Sequence, residues 1–154
     1  MAYVRELILT DIASRAAGIT IANGYLSDVS QVLRYPTEQD GDVVAQHFEE
    51  GTPLLFLFDG DPEDCEEEKD EWALWVLRPK LRGLIPSNAV NPSTVLNNLI
   101  GDVKRFVKLY RTDWHAQVIE TRVTQISILP DLTKPHAGFD ASLELRYETT
   151  ESIL

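Results

Sequence analysis

Asn91–Thr112 (NPSTVLNNLIGDVKRFVKLYRT) decides how the rest of the chain is read. Val95, Leu96, Leu99, Ile100, Val103, Phe106, Val107 and Tyr110 recur at steps of three and four. That spacing places them on one broad apolar stripe of an amphipathic helix. Asn91 is positioned to cap the first turn, and Pro92 sits where a missing N–H costs nothing. Asn97, Asn98, Asp102, Lys104, Arg105 and Lys108 fall on the other side. The basic residues gather in the second half, where they complement the negative end of the helix dipole. A stripe this wide needs a flat apolar surface to cover, and strand-like runs lie on both sides of it in the sequence.

N-terminal to this helix, Tyr3–Ala17 reads as a second one, with Val4, Leu7, Ile8, Ile12 and Ala16 on one face and Gly18 as its stop. Asn23-Gly24 signals a turn, and Val29–Tyr35 alternates loosely as a half-buried strand. Pro36–Asp42 is a polar loop, and Val43–Glu50 has room for two helical turns ended by Gly51. PLLFLF (Pro53–Phe58) and WALWVL (Trp72–Leu77) are short apolar runs, expected to pair as antiparallel neighbours buried on both faces. Between them an acidic loop, 59–71, would form a long hairpin connection, and Lys80–Asn91 would be a connector.

Beyond the organising helix, Ala116–Leu129 has strand character. Ile119, Thr121 and Val123 share one phase while Ile126 and Ile128 share the other, which predicts a bulge near Thr124-Gln125. Pro130–Gly138 is a loop. In the last strand Phe139, Ala141, Leu143, Leu145 and Tyr147 face in, and Asp140, Ser142, Glu144, Arg146 and Glu148 face out. Residues 149–154 would be a flexible tail, although Ile153 and Leu154 could dock on a neighbour. The expectation is an α+β fold in one domain, 1–154, of order α-β-α-β-β-α-β-β. Its sheet would be mostly antiparallel, with the helices packed on one face.

At 154 residues the chain is long enough for one core burying ~70% of its unfolded surface. No apolar run approaches the ~20 residues that cross a bilayer. MAYVRELILTDI carries acids inside its apolar stretch and lacks a small-residue cleavage site, unlike a signal peptide. The single cysteine, Cys65, excludes an internal disulfide and fits a reducing compartment. Net charge is −11, and DGDPEDCEEEKDE (Asp59–Glu71) holds nine acids against one lysine. Phosphate binding needs cations, so groove reading of nucleic acid is disfavoured.

Most candidate chemistry fails on inspection. Asp59, Asp61 and Glu63 alternate like calcium ligands, but the sixth position of such a loop would be Asp64 instead of glycine, and the twelfth Asp70 instead of glutamate. A small cation-binding module is therefore a minor alternative. His47, His115 and His136 are scattered, with no carboxylate or cysteine at ligand spacing. Carboxylates around Cys65 oppose a reactive thiolate. Serine-hydrolase elbows, Walker loops and GxGxxG turns are absent, so no enzyme and no cofactor is expected. Trp114, beside Asp113 and His115, is a candidate contact residue, since tryptophan is enriched at interface hot spots, with packing in the core or a loop as the other reading.

The order of elements, with ITIANGYLSDVSQVLRY (Ile19–Tyr35), the proline-led strand Pro53–Phe58, the helix Val95–Tyr110 and FDASLELRYE (Phe139–Glu148), resembles the tail terminator and minor tail proteins of long-tailed bacteriophages. The resemblance covers nearly the whole chain as a pattern of spacing and character, without a catalytic motif. It implies a virion protein, made in the bacterial cytoplasm, that assembles with itself into a homohexameric ring on the head-proximal end of the tail. Its partners would be the tail tube protein, a head-completion or connector protein, and genomic DNA passing through the lumen without sequence-specific binding. The alternative is another neck component, such as a stopper. Under this resemblance Asp59, Asp61, Glu63, Asp64, Glu66, Glu67, Glu68, Asp70 and Trp114 are candidates for an interface or the lumen. A carboxylate-lined lumen would repel the DNA backbone.

Overall fold

The computed structural model describes residues 2–29, 31–36, 52–60, 62–86, 90–129 and 136–154. The expected short helix at 43–50, His47 and Asp61 lie outside these residues, as do most of the loops expected at 36–42 and 130–138.

The organising helix, α2 (Pro92–Tyr110), buries Leu96, Leu99, Ile100, Val103, Phe106 and Val107, the stripe its spacing predicts. Its start differs from expectation. Asn91 adopts φ 56° and ψ 65° and makes no side-chain cap; its carbonyl instead accepts from the N–H groups of Thr94 and Val95. The other helix, α1 (Val4–Ala16), buries Val4, Ile8, Leu9, Ile12 and Ala16. Leu7, expected on that face, is 41% exposed and Leu9 takes its place. The buried set is the i, i+4 ladder from Val4 to Ala16, and Leu9 flanks it where Leu7 falls outside. Neither described helix is long and apolar enough to cross a membrane.

Seven strands form one sheet, mostly antiparallel: β1 (Gln31–Tyr35), β2 (Leu54–Phe58), β3 (Asp64–Lys69), β4 (Trp72–Leu77), β5 (Lys80–Pro86), β6 (Val118–Leu129) and β7 (His136–Thr150). The pairing of β1 with β2 is parallel and the remaining pairings are antiparallel. The fold is α+β, with two strands beyond those expected from the sequence, β3 and β5.

The long strand β7 is the spine. Along one edge it pairs with β6. Along the other it pairs first with β5 (Pro86↔His136 to Lys80↔Ser142) and then with β4 (Leu77↔Leu145 to Trp72↔Thr150). β4 and β5 therefore run in line, interrupted by Arg78-Pro79, where the Pro79 carbonyl accepts from the Leu143 N–H. Proline cannot donate to the ladder, so the sheet forks at this point. One branch continues β5-β2-β1 and the other β4-β3. The linker between the branches crosses the interruption at Gly60, with φ 102°; a Cβ there would lie 2.3 Å from the Arg78 carbonyl oxygen, so only glycine fits.

The expected hairpin between PLLFLF and WALWVL is thus corrected: β2 lies between β1 and β5, and β4 between β3 and β7. The expected connector at 80–91 is also corrected. Leu81 and Ile85 alternate into the core, and Gly83 hides the alternation because the Phe139 ring occupies its side-chain space, 2.3 Å from where a Cβ would be. The phase change in β6 is a register shift between Val123 and Gln125, with a second between Val118 and Glu120.

Both helices cover the same face. Their buried side chains join Leu55, Leu57, Leu77, Leu81, Ile85, Phe139, Ala141, Leu143, Leu145 and Tyr147 in one apolar cluster. The opposite face holds a smaller cluster of Leu54, Phe56, Phe58 and Leu84, then a polar ladder. In that ladder Arg82 grips Asp140 (2.7 and 3.0 Å), Glu144 accepts from Arg122 and Arg146 (3.1 and 2.8 Å), and Trp72 donates to Glu148 (2.9 Å). The segment expected as a tail, 149–154, overlaps the end of β7. β7 runs to Thr150, Ile153 bridges back to it, and the Leu154 carbonyl accepts from the Val4 N–H.

Candidate functional site

Two oppositely charged surfaces lie at the two edges of the β3-β4-β7-β6 part of the sheet, the acidic one positioned by strand register and the basic one by α2 beside β6.

The acidic one corrects the loop expectation for 59–71. Asp64–Lys69 is strand β3, hydrogen-bonded to β4, with every side chain exposed and a register shift between Cys65 and Glu67. Aspartate and glutamate have poor strand propensity and there is no apolar alternation, so nothing local announces a strand. Backbone pairing with β4 makes it one. The charges and the bulge suit an edge, because they block further sheet pairing with the wrong chain. Asp70, at φ 45°, and Glu71 form the two-residue turn into β4.

The acidic candidates do not act as one set. Asp59 receives Arg34 (3.0 Å), which also holds Glu6. Glu63 accepts from Arg5 (3.0 Å) and from the Tyr147 hydroxyl, joining α1, the acidic run and β7. Burial, then the Glu63 carboxylate, push the Tyr147 phenol well above its ordinary value. Asp64 pairs with Arg78, Glu66 with Arg146 (2.9 Å) and Glu67 with Lys69 (3.2 Å). Hydrogen bonds from Arg146 and then Arg122 hold the Glu144 carboxyl below its usual range. What remains is Glu68, Asp70 and Glu71, which gather with Glu151 around a shallow hollow beside Trp72.

The basic surface is a groove of about 510 Å³ between the second half of α2 and β6. Lys104, Lys108 and Arg111 stand along its helical wall, at the i, i+4, i+7 spacing that keeps side chains on one side of a helix. Val107, Val123 and Ile126 form an apolar floor, and Arg122 and Gln125 stand on the strand side. In the sequence Lys104 and Lys108 read only as partners for the helix dipole. The signal that could have found them is their shared side of the helix opposite a strand with a broken phase.

Of the two readings of Trp114, the structure shows core packing and not the contact. It is 3% exposed, packs on Phe106 (5.1 Å) and Tyr110 (5.7 Å), and donates from Nε1 to Thr121 Oγ1 (2.9 Å). It closes the end of the core, so it offers no contact surface. Trp72 and Trp75 are both half-buried and hydrogen-bonded to β7, through Glu148 and Thr149. His115 accepts at Nδ1 from the Gln117 N–H, a turn-stabilising role. Cys65 is exposed on β3. Among the described residues no three His, Cys, Asp or Glu side chains converge as a metal site requires. No known family profile matches the chain, and no curated protein matches it either.

Proposed function

We propose that this chain is a structural subunit that closes into a ring, six-membered by the resemblance in its sequence, on the head-proximal end of a long bacteriophage tail. There it stops tube polymerisation and offers the surface to which the head joins. The observation that carries the reading is the pair of complementary edges: an acidic strand on one side of the β3-β4-β7-β6 sheet and a basic groove on the other. A subunit whose unlike surfaces face opposite ways suits head-to-tail contacts, which close when the rotation per subunit divides the circle. The α+β build is the one the resemblance implies. A chain of charge −11 suits a lumen through which DNA slides without sequence-specific binding.

The test is to add the purified protein to tail tubes while tube subunits are still adding, and to follow tube length by electron microscopy. Growth that stops at the length reached on addition supports the terminator. Continued growth together with binding to filled heads would transfer the assignment to another neck component. Continued growth without head binding would remove the phage reading.

A further inference from the structure

Nearly every described lysine and arginine has a carboxylate partner. The exceptions all lie on α2 and just after it: Lys104, Arg105, Lys108 and Arg111. Arg105 is occupied otherwise, donating to the Gly24 carbonyl and lying over the Tyr25 ring. Lys104, Lys108 and Arg111 remain, and all three line the groove beside β6. The carboxylates of Asp102, Asp113 and Glu120 do not line it, and Asp102 is taken by the Leu26 N–H. At the opposite edge, Glu68, Asp70 and Glu71 form no ion pair with any described residue, although their neighbours Asp64, Glu66 and Glu67 all do. Three unpaired cations thus flank one outer strand, and three unpaired anions cap the hairpin at the other.

We propose that the β3–β4 turn of one copy seats in the α2–β6 groove of the next, with Glu68, Asp70 and Glu71 set against Lys104, Lys108 and Arg111. The inference deepens the ring reading and rests on it, by naming the two surfaces that meet. The occupant is a second copy because the turn presents the charge the groove lacks, and because the two surfaces lie on opposite edges and cannot meet within one subunit. Nucleic acid would find only this short cationic stripe on a chain that otherwise repels phosphate. Val107, Val123 and Ile126 would exclude water beneath the charges, where ion pairs are screened less than on an open surface. Wrong partners would meet like charge on one side or the other.

Charge exchange tests this. One variant carries Lys104→Glu and Lys108→Glu; the other carries Glu68→Lys and Glu71→Lys. All four side chains are exposed, and circular dichroism checks that each variant folds. Sedimentation is measured at low ionic strength and millimolar protein, for the wild type, each variant and their equimolar mixture. The expected result is an associating wild type, two monomeric variants, and a mixture that associates again, since each variant's groove then faces a turn of opposite charge. Association of the wild type should also be lost toward 1 M salt, where the Debye length falls to ~3 Å. A wild type that associates and variants that associate equally well would overturn the named surfaces and leave the ring standing. A wild type that stays monomeric would overturn this interface, while tube capping separately decides the ring.

Discussion

Asp102 ties the organising helix to a segment 76 residues earlier: both its carboxylate oxygens accept the Leu26 N–H at 3.1 Å, and the residue is 3% exposed. Asp102→Ala leaves that backbone donor without its partner, at a cost of about 1–3 kcal/mol in urea unfolding, and Asp102→Asn, which keeps one acceptor, should cost less. A loss of under a few tenths in the alanine variant would show that water takes the carboxylate's place. Helical spacing alone put Asp102 on the wet side, because its partner is a backbone group that no local pattern reveals. Tyr147 makes a pH prediction. Its folded pKa lies above the unfolded value of 10.0, so its contribution is complete below pH 10 and is lost as pH rises through the folded value. The stability advantage of the wild type over Tyr147→Phe should therefore shrink as pH rises above 10. A difference constant across that range would contradict the account. Gly83 was the most misleading single residue. It reads as a connector, yet its missing side chain is the space the Phe139 ring fills.

At the scale of elements, what could be read was whatever its own periodicity specifies. α2 and β7 each bury one face, so spacings of 3.6 and 2 residues marked them in the sequence, and the bulge in β6 showed as a change of phase. β3 has no apolar face, because both its sides are exposed, and its strand state depends on β4 alone. Trp114 illustrates the limit for single residues. Composition leaves it between contact and core, because the hydroxyl that satisfies its indole N–H is on β6, seven residues on, and only the folded chain brings the two together. α2 itself carries a glycine without a visible packing reason: a Cβ at Gly101 would meet nothing within 4 Å. Gly101→Ala should therefore stabilise the protein by ~0.5–1 kcal/mol, read as a rise in the denaturant midpoint with an unchanged slope. Destabilisation would mean that the exposed side of the helix is constrained by something outside the subunit, such as a neighbouring copy.

At the scale of the molecule, the forked sheet gives the chain unlike edges. The fork follows from Arg78-Pro79 and Gly60, and could not be seen in the sequence because it depends on two strands running in line along one partner. The acidic run divides: among its described residues Asp59, Glu63, Asp64 and Glu66 hold arginines within the subunit, while Glu68, Asp70 and Glu71 form no ion pair. Sequence composition showed only a block of negative charge. Unpaired acids on one edge and a basic groove on the other are the unlike surfaces on which the proposed head-to-tail ring would be built. The central claim is that copies of this chain close such a ring at one end of a tail tube, and end-on averaging of tube ends by electron microscopy tests it most directly. The account predicts, at one end only, a closed six-membered ring whose subunits meet through unlike surfaces; bare ends, or protein scattered along the tube wall, would contradict it.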